Sequence, residues 1–265
     1  MLLECKYVLG IDAAWTSKGS SGIALLKCLP DSLPELVRAG RSYEEFCYGK
    51  IDWVKTPQGT LPNFKDIFYS VNEKVDIVAL DIPLSPKPIS GRRNSDNIIS
   101  HKYGKFGASA HTPSINRPGQ ISTSIYEQLI KHGYTWSFKH TVLQTFIEIY
   151  PHTAILELFN FNYRFEYKVS KRTRYWPNLT PEIRKKNIVG KLLELKEKLK
   201  SEVNNLDDFL INIDIQSSFK ILKSYEDLID SIISALVGYY YLKCEVTPYG
   251  DNESTIWVPK KSISS

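Results

Sequence analysis

The chain has few cysteines, and they are too far apart in sequence to form the common cysteine-based sites. Cys5, Cys28, Cys47 and Cys244 are the only four in 265 residues, and no two form a CxxC pair. This spacing argues against a zinc ribbon and against a disulfide framework. It fits a reducing compartment, so we expect a cytoplasmic protein.

Long apolar runs are also missing. No stretch of about 18 consecutive apolar residues occurs, so we expect no membrane-spanning helix. The first residues lack the basic lead and apolar stretch of a secretory signal, so we expect none. There is no internal repeat and no clear linker, and 42% hydrophobic, 12% aromatic and 24% charged residues are ordinary globular values. The simplest expectation is one α/β domain over residues 1–265.

The net charge of +5 is small but unevenly distributed. Residues 87–120 carry six basic side chains and one acid, and residues 161–186 carry eight and two, so the remainder sums to −6. Because Lys and Arg neutralise phosphates, this distribution indicates a nucleic-acid partner, DNA or RNA. The second segment also contains aromatic rings able to stack on unpaired bases, unless they belong to the core: Tyr163, Phe165, Tyr167, Tyr175 and Trp176.

Apolar patterning predicts an α/β succession of strands and helices. Strands are expected at residues 6–12, 22–27, 43–51, 75–81 and 145–150, the first two as an antiparallel hairpin. Helices are expected at residues 63–71, 96–103, 122–132, 151–159, 180–202 and 225–242. Residues 84–120 otherwise lack periodicity and predict a long loop, a kind of segment that is often functional.

Five carboxylates lie in or at the end of apolar elements, where burying a charged group costs desolvation energy. Asp12 and Asp81 each end an apolar strand, and Glu148 lies within one. Asp227 and Asp230 are three residues apart on one face of an otherwise apolar helix, whose small residues should let it lie close to a sheet. Acids brought together in this way repel one another, and a divalent cation is the usual resolution.

The cation indicated is Mg²⁺ or Mn²⁺, because no histidine or cysteine cluster favours zinc. Each acid also has a simpler interpretation. An Asp after a strand often caps a helix or forms a turn, and Asp227 suits the positive N-terminal end of its helix. The metal hypothesis depends on the whole set.

The chain resembles the uncharacterised family described as predicted RNase H-like nucleases. The resemblance begins at Gly10-Ile11-Asp12-Ala13-Ala14-Trp15 and covers nearly the whole chain. Further matching motifs follow in order: Gly22-Ile23-Ala24; Asp81-Ile82-Pro83-Leu84; Gly91-Arg92-Arg93 before Asp96; Glu148-Ile149-Tyr150-Pro151-His152; Asp227-Leu228-Ile229-Asp230 with Ala235-Leu236; and Ile256-Trp257-Val258-Pro259.

This resemblance implies an RNase H-like α/β fold, a mixed five-stranded sheet flanked by helices that opens with a three-stranded meander. Inserted segments would fall around residues 84–120 and 160–223. It implies metal-binding acids on the first strand, the fourth strand and a late helix, which are Asp12, Asp81 and Asp230 here. The activity implied is hydrolysis of phosphodiester bonds at a two-metal site.

In such a nuclease, Glu148 or Asp227 would hold water or tune the second ion, and His152 would act in proton transfer or merely satisfy backbone groups. Basic residues of the two positive segments would contact phosphates: Arg92, Arg93, Lys168, Lys171, Arg172 and Arg174. Two other classes stay open. One is a non-catalytic nucleic-acid-binding or scaffold protein of the same fold, and the other is an ATP-binding phosphotransferase related to actin and the sugar kinases.

Overall fold

The computed structural model describes residues 4–141 and 144–260, whose centre is one mixed sheet. Its strands are β1 (Lys6–Asp12), β2 (Gly22–Cys28), β3 (Glu35–Gly40), β4 (Ile77–Asp81), β5 (Thr135–Trp136), β6 (Thr145–Ile149), β7 (Val246–Gly250) and β8 (Thr255–Pro259). They lie in the order β3-β2-β1-β4-β6-β8-β7, with β5 paired to the start of β6. The predicted α/β class with a mixed sheet is confirmed, although the sheet has eight strands rather than five.

The three opening strands are antiparallel neighbours. β1 pairs with β2 as predicted, and β2 pairs with β3. The strand predicted at residues 43–51 is wrong, because helix α1 (Tyr43–Tyr48) lies there. Its local signals favour a helix: the Ser42 side chain accepts a hydrogen bond from the Glu45 N–H, and Glu44 and Glu45 lie in the first turn, where the helix dipole favours acids.

The remaining helices lie close to their predicted positions, apart from a short one at residues 172–175 that was not predicted. They are α2 (Phe64–Ser70), α3 (Asn94–Tyr103), α4 (Gln120–Lys131), α5 (Pro151–Leu158), α6 (Arg172–Tyr175), α7 (Pro181–Leu199) and α8 (Phe219–Leu242). Thr180 caps α7 as expected, with proline at the first position. The last helix begins six residues earlier than predicted, because Ser218 caps it by accepting from the Ile221 N–H.

Helix α8 lies directly on the backbone of β1 and β2. A Cβ added to Gly10 would be 2.1 Å from the Ser231 carbonyl oxygen, and one added to Gly22 would be 1.9 Å from the Asp227 carbonyl oxygen. Residues 224–239 of the helix are all buried. The expectation that the last helix packs closely against the sheet is therefore confirmed, and the glycines of the strands make this contact possible.

Two apolar layers cover the sheet. Side chains from alternate positions of β1, β4 and β6 pack with α8 and α7 on one face, and those from the intervening positions pack with α2 and α4 on the other. The closing hairpin of β7 and β8 was not predicted, because Pro248 and Gly250 are unfavourable within strands. Within residues 4–141 and 144–260, no helix has the length and apolarity needed to cross a bilayer.

Candidate functional site

Asp12 and Asp81 are side by side at the carboxyl ends of neighbouring parallel strands. β1 and β4 pair so that Asp12 is opposite Asp81. Paired Cα atoms of adjacent strands are about 4.8 Å apart, and residues opposite each other in a parallel pair point to the same face. Both acids therefore lie close together on one face of the sheet.

That face is the one covered by α8. Gly10, two residues before Asp12, faces Ser231 and Ala235 of the helix. Because side chains alternate along a strand, Asp12 is directed to the same side as Gly10. Gly22 pairs with Asp12 and touches the backbone of Asp227, so the acids of α8 face those of the strands.

The carboxylates of Asp12 and Asp81 have no hydrogen-bond donor or ion-pair partner within residues 4–141 and 144–260. Both side chains are half-buried. Burial, with the nearby charges of Asp230, Asp227 and Asp81, raises the pKa of Asp12 well above its usual range. Burial raises the pKa of Asp81 to about 7, against the opposing effect of Lys168. Two adjacent, desolvated acids without donors form a site where a cation would be stabilised.

Unlike Asp12 and Asp81, the two aspartates of α8 each form an ion pair with a lysine. Asp230 accepts hydrogen bonds from the Tyr167 hydroxyl at 2.5 Å and from the Lys168 ammonium. Asp227 accepts from the Ser20 hydroxyl at 2.7 Å and from the Lys223 ammonium. These partners fix the orientation of both carboxylates.

Glu226 holds the two lysines in place. Its buried carboxylate is 2.9 Å from Lys223 Nζ and 3.4 Å from Lys168 Nζ, and it accepts from the Val169 N–H at 2.6 Å. Burial would raise the pKa of Glu226, but the two ammonium groups and this N–H together hold it below its usual value. Glu226 therefore stays ionised and anchors the positive charge of the site.

Glu148 has its own partners outside this cluster, although it lines the same cavity as Asp81. Ile147 and Ile149 pack on the α8 side, so Glu148 between them is directed to the opposite face. Its two carboxylate oxygens each accept from Arg93 at 2.6 Å, and one also accepts from the Leu84 N–H. Arg93 also pairs with Asp96 at 2.8 Å. Glu148 thus joins the start of α3 to the sheet.

His152 is buried in the wall of a cavity beside Asp81. Its Nε2 is 2.5 Å from Nη2 of Arg164. Burial and the positive charges of Arg164 and Lys168 hold the pKa of His152 well below its usual value, so the ring is neutral. A proton-transfer role for this residue stays a prediction.

The predicted phosphate contacts have different surroundings. Lys168 and Lys171 line the cavity beside Asp81. The guanidinium of Arg92 instead donates hydrogen bonds to the side chains of Asn97, Ser100 and Thr112. Arg172 lies over the Phe219 ring with its guanidinium carbon 4.0 Å from the centroid, and Arg174 is exposed. Two of the five aromatic residues proposed for stacking, Phe165 and Tyr167, are buried in the core, whereas Tyr163 is exposed.

The donor types of the strand-end acids suit a hard divalent cation, since carboxylate oxygens are the ligands that such ions prefer. In the part of the chain that the structure describes, however, no three His, Cys, Asp or Glu side chains are grouped closely enough to hold a metal ion. The two acids of α8 are instead paired with ammonium groups, Asp230 with Lys168 and Asp227 with Lys223.

Sequence reasoning missed Lys223 and Glu226. Their spacing was a usable signal, because residues 223, 226, 227 and 230 lie three and four apart and share one helical face. Arg164 offered no such signal, since its contact with His152 spans 12 positions across separate elements.

The fold and the site together define an α/β protein with an acidic strand-end site bordered by lysine and arginine. Comparison of the chain with protein-family models, with curated proteins and with solved structures found no match. The geometry of the site is therefore the basis for a proposal of function.

Proposed function

We propose that this protein is a metal-dependent nuclease with an RNase H-like fold that hydrolyses phosphodiester bonds in DNA or RNA. The observation that carries the proposal is the pair of adjacent acids without donors, Asp12 and Asp81, facing Asp227 and Asp230 of α8. The order β3-β2-β1-β4 with acids on β1, β4 and a late helix supports the RNase H-like assignment.

In this proposal Asp12, Asp81 and Asp230 hold Mg²⁺ or Mn²⁺. Such an ion, when bound, would stabilise the negative charge that develops on the phosphate during hydrolysis. Glu226 lets Lys168 keep an ion pair when Asp230 contributes its charge to a cation. Tyr167 keeps Asp230 in position through its hydroxyl.

The substrate would lie in the open cleft beside Asp12. This cleft has a volume of about 650 Å³ and is bordered by Arg117, Lys171 and Trp15. The two cations would neutralise backbone phosphates, and the indole of Trp15 would offer a stacking surface for a base. The acids are thus next to a surface suited to nucleic acid.

The test is cleavage of labelled single-stranded DNA, duplex DNA and RNA with Mg²⁺ or Mn²⁺, and with EDTA as the metal-free condition. We expect Asp12→Asn and Asp230→Asn each to lower the rate at least about a hundredfold, the usual scale for loss of a group that stabilises transition-state charge. Asp31→Asn is the matched control, because Asp31 is exposed and follows Cys28, the end of β2 that lies far from Asp12. Undiminished cleavage by folded Asp12→Asn protein would reject the site.

One observation favours a second candidate, a nucleic-acid-binding protein of this fold without catalysis. Lys168 and Lys223 already neutralise charge on Asp230 and Asp227, as expected of a site that needs no metal. Binding of oligonucleotides without cleavage under every metal condition would favour this candidate over the nuclease.

A further inference from the structure

A small cavity, lined in part by Asp81, adjoins the open cleft that contains Asp12. Its volume is about 220 Å³, and its wall includes Tyr150, His152, Arg164 and Lys171. Pockets for drug-sized ligands are larger, about 300–1,000 Å³, so this cavity suits one chemical group rather than a whole nucleotide. Trp15, His111 and Lys171 border both spaces, which places the cavity at one end of the cleft.

Two buried hydrogen-bond donors in the cavity wall lack acceptors. An arginine guanidinium can only donate, so the 2.5 Å contact makes Nε2 of His152 the acceptor from Arg164. The proton of the neutral ring is then on Nδ1. Both this Nδ1 and Nε of Arg164 are buried, and neither has a partner among the described residues. Buried donors of this kind are costly unless a ligand or water satisfies them.

Some of the positively charged side chains in the cavity wall also lack carboxylate partners in the described part of the chain. Arg93, Lys168 and Lys223 each form ion pairs with carboxylates. Arg164 and Lys171, by contrast, have no carboxylate partner within residues 4–141 and 144–260. The wall also contains carboxylates: Asp96, Glu148 and Glu226 are paired with its cations, and Asp81, among the residues described, is not. Two half-buried cations without carboxylate partners therefore line one small space against one carboxylate without a donor, and this excess of positive charge suits an anion.

We propose that this cavity binds a phosphate monoester, the terminal phosphate of a nucleic-acid strand, and so directs the protein to strand ends. This inference rests on the proposed function for the identity of its substrate. A phosphate monoester carries about −1.5 to −2 charges near neutral pH, so the excess positive charge of the wall attracts it more strongly than the single charge of an internal phosphodiester. The guanidinium of Arg164 suits bidentate contact with phosphate oxygens. The small volume leaves no room for a strand to continue through the cavity, while the adjoining cleft has room for the rest of the strand.

The test is binding in EDTA, where metal-dependent cleavage cannot occur. Fluorescence anisotropy would compare short single-stranded DNA and RNA oligonucleotides carrying a 5′-phosphate, a 3′-phosphate or hydroxyl groups at both ends. We expect one of the phosphorylated ends to bind at least about tenfold more tightly than the hydroxyl ends, the scale of one hydrogen bond to a charged group. Arg164→Gln and Lys171→Gln should each remove most of this preference.

Lys74→Gln is the matched control and should keep the full preference. Lys74 is exposed and precedes the first residue of β4, whereas Asp81 is the last residue of that strand. Arg164→Gln also removes a hydrogen bond to buried His152, so thermal unfolding would check its fold. Lys171 is half-buried, and its variant provides the decisive result if Arg164→Gln does not fold.

Equal binding of all three ends, or a preference that survives in folded Lys171→Gln protein, would overturn the inference. Tighter binding of a nucleoside monophosphate than of either phosphorylated oligonucleotide would overturn the assignment to a strand end. The two proposals can fail separately. An end preference in EDTA without cleavage in any metal rejects only the nuclease, and cleavage without an end preference rejects only the phosphate cavity.

Discussion

Replacing Gly22 or Gly10 by alanine should separate α8 from the sheet. The new Cβ would be 1.9 Å from the Asp227 carbonyl oxygen in Gly22→Ala and 2.1 Å from that of Ser231 in Gly10→Ala. Real Cβ contacts are rarely below 3.0 Å, and the atoms met here are backbone, which cannot rotate away. The helix must therefore retreat by about 1 Å, or the strand must distort.

The magnitude follows from how much of α8 is packed. Since residues 224–239 are all buried, a retreat of about 1 Å loses a quarter to a half of the dispersion energy over that contact. Overpacking typically lowers the free energy of unfolding by 1–3 kcal/mol, and a clash with backbone belongs at the upper end, about 3 kcal/mol. For a chain of this size, that predicts a melting temperature about 6–12 °C lower.

Thermal unfolding followed by circular dichroism measures this effect, with Gly190→Ala as the matched control. Gly190 is exposed within α7, and a Cβ there meets nothing within 4 Å. Alanine at this helical position should raise stability by about 0.5–1 kcal/mol. If Gly22→Ala melts at or above the wild-type temperature, as Gly190→Ala should, the close approach of α8 to the sheet is refuted.

Two further variants test the charges around the site. Glu148→Gln should lower the free energy of unfolding by about 2–3 kcal/mol in denaturant titrations, because Arg93 would keep only Asp96 as a carboxylate partner. An unchanged midpoint would contradict this. Burial raises the pKa of Asp81 to about 7, so the folded state binds this proton more tightly than the unfolded chain and loses stability as the pH rises from about 4 to 7. In EDTA, the melting temperature of Asp81→Asn should therefore fall less between about pH 4 and pH 7 than that of the wild type. An equal decrease for both proteins would show that Asp81 does not titrate as proposed.

Elements with strong local signals were predictable from the sequence. Thr180 and Pro181 set the start of α7, and Pro151 sets that of α5, because capping and proline preferences act within one helical turn. The strand at 43–51 was predicted wrongly because apolar residues in a short segment fit both periods. The cap at Ser42 decided for a helix there.

The candidate site was predictable in part. Asp12 and Asp81 stood out because each ends an apolar strand, and their adjacency follows once β1 and β4 are parallel neighbours. The direction of Glu148 was not predictable, since it depends on the register of β6 in the sheet, and a shift of one residue would reverse it. Its pairing with Arg93 joins residues 55 positions apart.

By itself, the sequence determined where most helices and the central strands form and which acids end β1 and β4, because these features depend on neighbouring residues along the chain. Only the tertiary structure decided that Lys168 and Lys223 lie among the acids, that Glu148 pairs with Arg93, and that Arg164 contacts His152 beside a small cavity. Those contacts join separate elements, and their positions follow from how α8 packs on the glycines of β1 and β2, which no local pattern specifies.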